Sequence, residues 1–175
     1  EFYFLNKVPQ GLIKCALSEK PENFRAAFFL PSERTGSMVL GRPLNVIQPK
    51  RVVFYGQRGG SVMFNLFAVK DEILTDETIL YTYPLGHTNA AGNTCIGSAF
   101  GQIRAKSVDE VPSLLPAFFI ADNSGHMYSI GHTTLGVPFG ELMQMLSEAQ
   151  SFPEDILTPT AYTLKKAWEQ FVNLK

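Results

Sequence analysis

The chain has 175 residues, 45% of them apolar and 18% charged, with 15 basic and 16 acidic side chains for a formal net charge of −1. No basic block exceeds Lys50-Arg51 or Lys165-Lys166, which argues against a nucleic-acid surface. No apolar run approaches the roughly 20 residues that cross a bilayer as a helix, so no membrane span is expected; the sequence contains no signal peptide, and a leader trimmed before Glu1 is left open.

The length suits one domain over residues 1–175 with a core of its own. Phe2-Tyr3-Phe4-Leu5 and Leu12–Leu17 are apolar runs divided by Pro9-Gln10-Gly11, which fits two short strands or a strand and a turn. Cys15 sits inside the second run and reads as a small core hydrophobe. Phe24–Leu30 is another candidate strand, closed by Pro31, and residues 32–49, with Gly36, Gly41, Pro43 and Pro49, read as loop. Residues 51–55 and 61–69 are β-rich runs joined by the five-residue loop 56–60, a hairpin. The run 78–83 adds a strand, so an antiparallel meander is predicted to end at residues 84–98.

The periodicity then changes. Ser107-Val108-Asp109-Glu110 has the spacing of a capping box, and Val111, Leu114, Leu115, Phe118 and Phe119 follow at helical spacing. Pro112 fits a first turn, Pro116 should kink or shorten the helix, and Asp122-Asn123-Ser124-Gly125 should end it. Residues 138–150 predict a second helix, with Phe139, Leu142, Met143 and Leu146 on one side. Thr158-Pro159 reads as N-cap and first turn of a third, whose stripe is Ala161, Leu164, Ala167, Trp168, Phe171 and Val172. Trp168 and Phe171 are expected in the core. Strands first and helices last give an α+β class.

The chemistry is expected in residues 84–98, PLGHTNAAGNTCIGS, a stretch too rich in small and polar residues for helix or core. Gly86, Gly92 and Gly97 suit an irregular backbone, and Cys95 lies among His87, Asn89, Asn93 and Thr94, all able to hydrogen-bond. A thiolate is a strong nucleophile, and polar neighbours and backbone amides can stabilise it or an oxyanion. The other reading is a chance cysteine in a surface loop. Asp122 and Asn123 are possible partners for an incoming amine, with helix termination the default. His126 reads as a loop-stabilising residue before a base, and His132, in Gly131-His132-Thr133-Thr134, as a surface turn. Cys15 and Cys95 stand 80 positions apart with no paired Cys/His spacing, so neither a disulfide framework nor a metal site is expected. A reducing, cytoplasmic setting follows.

The stretch resembles the active-site segment of ubiquitin-conjugating enzymes, where a His-Pro-Asn triplet is followed by four residues, Gly, two residues and the acceptor Cys. Counted back from Cys95 without gaps, Gly92 falls on the family glycine, His87 on the Asn, and Leu85 and Gly86 on the His and Pro. An alignment two residues shorter puts His87 and Asn89 on the family His and Asn. The likeness is closer to a divergent bacterial branch, the prokaryotic ubiquitin-conjugating-like family D (PRTRC system protein B). Its pattern is matched by Pro84, Gly92, Cys95 and Gly97, with His87 in the Asn slot. Weaker similarity, in Arg42-Pro43-Leu44, Thr78 with Leu80, Ala117-Phe118-Phe119 and Ser124-Gly125-His126, extends it over residues 40–157.

The resemblance implies a ubiquitin-conjugating-enzyme-like (UBC-like) fold, with the meander packed on helices and the Cys on the loop after the sheet. It also implies a transferase that takes a ubiquitin-like protein as a Cys95 thioester from an adenylating activating enzyme and passes it to an amine or thiol. ATP would be used only by that enzyme, no cofactor is implied here, and a JAB-type peptidase belongs to the same pathway. His87 would replace the family Asn by donating a ring N–H to the oxyanion. His87 in the Asn slot, together with the lack of a convincing amphipathic helix before the first strand such as ordinary members carry, favours an inactive binding module as the alternative. A Cys hydrolase using His87 or His126 as base is a third.

Overall fold

A computed structural model describes residues 9–97 and 102–174 of the protein. Its strands are β1 (Leu12–Leu17), β2 (Phe24–Leu30), β3 (Glu33–Val39), β4 (Arg42–Gln48), β5 (Arg51–Arg58), β6 (Ser61–Ala68), β7 (Ile79–Thr82) and β8 (Pro159–Thr163). The helices are α1 (Val111–Phe119), α2 (Phe139–Glu148) and α3 (Leu164–Val172). Six strands form one sheet in the order β1-β2-β5-β6-β7-β8, antiparallel throughout, and β3 and β4 pair as a separate hairpin. The class is α+β. The run Phe2-Tyr3-Phe4-Leu5 lies outside the described residues.

β5 is central because it is apolar on both faces. Val53 and Tyr55 point into one buried cluster, and Val52 and Phe54 into another, as the two-residue period of a strand requires. The first cluster is completed by the β3–β4 hairpin and by α1 and α2, with Phe64 against Phe118 at 4.7 Å between ring centres. The second is closed by Leu164, Ala167 and Phe171 of α3, with Phe54 5.4 Å from Phe171 and 6.1 Å from the half-buried Trp168. The sheet is thus covered on both faces. Cys15 packs partly buried against the first cluster, and burial pushes its thiol pKa up.

Several local expectations fail for identifiable reasons. Residues 32–49 are a hairpin, registered from Glu33 opposite Gln48 to Val39 opposite Arg42. Its turn, Leu40-Gly41, takes positive φ at both positions (49° and 80°) without the usual Asn. The loop after β5 shrinks to Gly59-Gly60, also both at positive φ. Gly56 and Gln57 belong to the strand, paired with Met63 and Val62 of β6.

The capping box does not form. Ser107 Oγ turns to Asp109, and Glu110 Oε2 accepts from Lys106 N–H at 2.7 Å. A short 3-10 turn, Val108–Glu110, leads into α1, which carries Pro116 through to Phe119. The third helix starts later than Thr158-Pro159 suggests. Pro159 and Ala161 are in β8, because β7 offers an open edge, and pairing there outweighs a local helix-start signal. Thr163 is the N-cap, its side chain accepting from Lys166 N–H at 3.2 Å. Among the described residues no helix is long and apolar enough to cross a membrane.

Candidate functional site

β7 delivers the chain to the site. Thr82, Tyr83, Pro84, Leu85 and Gly86 are buried, and Tyr83 Oη donates to Gln48 Oε1 at 2.5 Å inside the core. Gly86 passes so close to Asn123 that any Cβ would collide with the Asn123 amide oxygen. Residues 87–95 then fold on themselves as a narrow antiparallel ladder. Cys95 N–H donates to His87 O at 2.7 Å, Asn89 N–H donates to Asn93 O at 3.0 Å, and Thr88 pairs with Thr94 between them. The two threonine hydroxyls lie 3.0 Å apart, and Thr94 Oγ1 also donates to Gly92 O at 3.1 Å.

The tip is a turn that its own sequence closes. Asn89 Oδ1 accepts from Ala91 N–H at 2.9 Å and Asn93 N–H at 3.0 Å, the side chain standing in for a backbone acceptor. Gly92 takes φ 86°, and its carbonyl accepts from Leu66 N–H of β6 at 3.0 Å. Thr82 Oγ1 donates to Ala90 O at 3.1 Å. The tip is therefore fastened to the sheet at two points.

Cys95 is exposed and its thiol is free. His87 sits at φ 70°, a conformation that costs most side chains about 1 kcal/mol or more. Its ring Nε2 lies 2.9 Å from Asp122 O, and a carbonyl only accepts, so Nε2 carries the hydrogen. In the tautomer with its one ring hydrogen on Nε2, Nδ1 is an acceptor. His87 N–H donates to His126 O at 2.6 Å, and the ring meets Phe118 edge-on at 6.1 Å. The ring N–H expected to face an oxyanion is thus spent on Asp122, and the Cys95 amide on His87.

Asp122 contributes its carbonyl. Asn123 ties the hairpin to the site, donating to Met38 O at 2.8 Å and accepting from Leu40 N–H at 3.0 Å. His126 is exposed, its ring 6.5 Å from that of His87. Gly97 is exposed at φ 70°. Ser98 lies outside the described residues. Among the described residues no group of three or more His, Cys, Asp or Glu could hold a metal ion.

His132 overturns its reading as a surface turn: it is 1% exposed. Its Nδ1 accepts from Ser129 N–H at 3.1 Å, and Nε2 lies 2.6 Å from Thr88 O. The sequence signal was Ser129 three residues before His132, a capping-box spacing with His in the place usually held by Glu or Gln.

The chain matches no family model, no curated protein and no solved structure.

Proposed function

We propose that the protein is a carrier that holds a ubiquitin-like protein as a thioester on Cys95 and passes it to an amine or thiol. The observation that carries this reading is an exposed, free thiol on a braced ladder opposite His87, directly after the meander and before the helices. That arrangement agrees with the UBC-like fold that the loop pattern implies. An enclosed active-site cleft would suit a small substrate; an open rim suits the tail of a protein.

In loading, the Cys95 thiolate attacks the carbonyl carbon of the activating enzyme's thioester. The new S–C bond forms, the old one breaks, and the enzyme's thiolate leaves. In discharge to an amine, a C–N bond forms, the Cys95 S–C bond breaks, and the amine proton moves to His87 Nδ1. Asp122 O holds the ring in the tautomer that leaves Nδ1 free for this. The substrate is a ubiquitin-like protein, and the partners are an adenylating activating enzyme, which alone uses ATP, and a JAB-type peptidase of the same pathway.

The test is to incubate the protein with ATP and a candidate ubiquitin-like protein and activating enzyme encoded beside it. A thiol-sensitive adduct that disappears in Cys95→Ala is the expected result. An adduct that persists in that variant would sink the assignment. A second reading, a docking module that binds the ubiquitin-like partner without carrying it, is favoured by one observation. Both the Cys95 amide and the His87 ring N–H are already bonded, leaving neither to stabilise an oxyanion. Tight binding that ignores Cys95→Ala and yields no adduct would select it.

A further inference from the structure

We infer that His132 is a positioning residue for Cys95, acting through the carbonyl of Thr88. What the position serves rests on the carrier reading, but the tether itself does not. Ser129 N–H donates to Nδ1, which fixes the hydrogen on Nε2, so Nε2–H donates to Thr88 O at 2.6 Å. Ser129 Oγ lies 2.9 Å from the same Nδ1 and can add a second donor there. His132 and Thr88 are both essentially without solvent exposure, so no water replaces this bond if the ring is lost.

The bond lands at a decisive place. Thr88 pairs with Thr94, the residue just before Cys95, and the contacts from Leu66 and Thr82 reach only the far tip of the ladder. His132 is itself held firmly: the Tyr128 ring lies 5.0 Å from it and 5.3 Å from Phe139 of α2, and Tyr128 Oη donates to Val137 O at 2.6 Å. The next residue, Thr133, bridges to Leu157. A packed histidine thus holds the rung next to the one that bears the thiol, which is itself anchored by His87 N–H donating to His126 O at 2.6 Å, and a small misplacement of a reacting group is enough to cost a large factor in rate.

Two substitutions of similar polarity separate this role from general packing. In His132→Gln the side-chain amide reaches the Nε2 position and donates to Thr88 O. In His132→Asn the amide oxygen takes the Nδ1 position and accepts from Ser129, but the side chain stops short of Thr88. Hydrogen exchange at the Cys95 amide should accelerate about tenfold or more in His132→Asn and stay near wild type in His132→Gln, with β5 and β6 amides unchanged in both. The rate of loading Cys95 should follow the same order, falling about tenfold to a hundredfold in kcat with KM unchanged. Equal acceleration in the two variants, or none in His132→Asn, overturns the proposal. Imidazole nitrogen NMR of the unaltered protein gives an independent check, since a hydrogen on Nδ1 of His132 would also overturn it. Neither exchange nor NMR needs the partner, so failure to load Cys95 would reject the carrier reading and leave the tether standing.

Discussion

Cys95 and His87 stand directly opposite each other, joined by the 2.7 Å bond from the Cys95 amide to the His87 carbonyl. That pairing comes from the local sequence: Asn89 and Gly92 close the tip, and the threonines at 88 and 94 face each other between tip and thiol. Its chemical consequence is a separation of duties. The backbone of His87 places the cysteine, the Asp122 carbonyl orients its ring, and in the carrier proposed above that ring takes the amine proton.

His87→Asn tests the ring's duty. Asn tolerates positive φ well, so the fold should be kept. Without the imidazole, loading of Cys95 should change little while discharge of the thioester to free lysine slows about a hundredfold. The readout is thioester lifetime with and without lysine. Faster discharge in His87→Asn would mean that His87 replaces an oxyanion donor and is no base.

The two thiols should separate cleanly in their reactivity. Cys95 is exposed, whereas burial raises the pKa of Cys15 and so lowers its thiolate fraction at any given pH. Iodoacetamide at neutral pH should add one label, at Cys95, with the second appearing only on unfolding or at markedly higher pH. Mass spectrometry of peptides reads this directly. Equal labelling of both cysteines in the native protein would contradict the burial of Cys15.

How much of this was legible beforehand depends on the range of the forces involved. The β5–β6 pairing, the apolar faces of α1 and α2, and the exposed, glycine-punctuated position of Cys95 follow from local pattern, and all are present. Leu40 at positive φ hid the β3–β4 turn, because leucine gives no turn signal. β8 was hidden because Thr158-Pro159 obeys local helix rules while the edge of β7, far away in sequence, decides the outcome. The same holds at the site. His132 lies 44 positions from Thr88, and no periodicity or spacing connects them.

Gly92→Ala should be the most damaging small change in the loop. The residue needs φ 86°, and an added Cβ would intrude on the Phe67 ring, which is 2% exposed and has no room to retreat. Strain and overpacking together predict a loss of about 2–4 kcal/mol, measured by urea unfolding. The bond from Leu66 N–H to Gly92 O should weaken with it, seen as faster exchange at the Leu66 amide. A variant within experimental error of wild type would show that the tip does not pack on Phe67.

Alkaline stability should report on the core behind the ladder. Tyr55 donates from Oη to Gln57 Oε1 at 2.7 Å, and burial pushes its hydroxyl up to about 12 from 10.0, with Arg104 pulling the other way. Burial raises Tyr83 as well. A raised folded pKa means that the folded state keeps the proton after the unfolded chain has lost it. The stabilising contribution is therefore complete below pH 10 and declines as pH rises towards 12. In Tyr55→Phe the decline should be shallower, with Tyr83 and Tyr128, both raised by burial, supplying what remains. At pH 7 the variant should lose only about 1 kcal/mol, because Gln57 Oε1 keeps its bond from Ala105 N–H at 2.7 Å and is not left bare. Urea midpoints at pH 7 and across pH 10–12, with tyrosinate absorbance followed in parallel, give both numbers. An unaltered slope in Tyr55→Phe would mean that the Tyr55 hydroxyl titrates as freely in the fold as in the open chain.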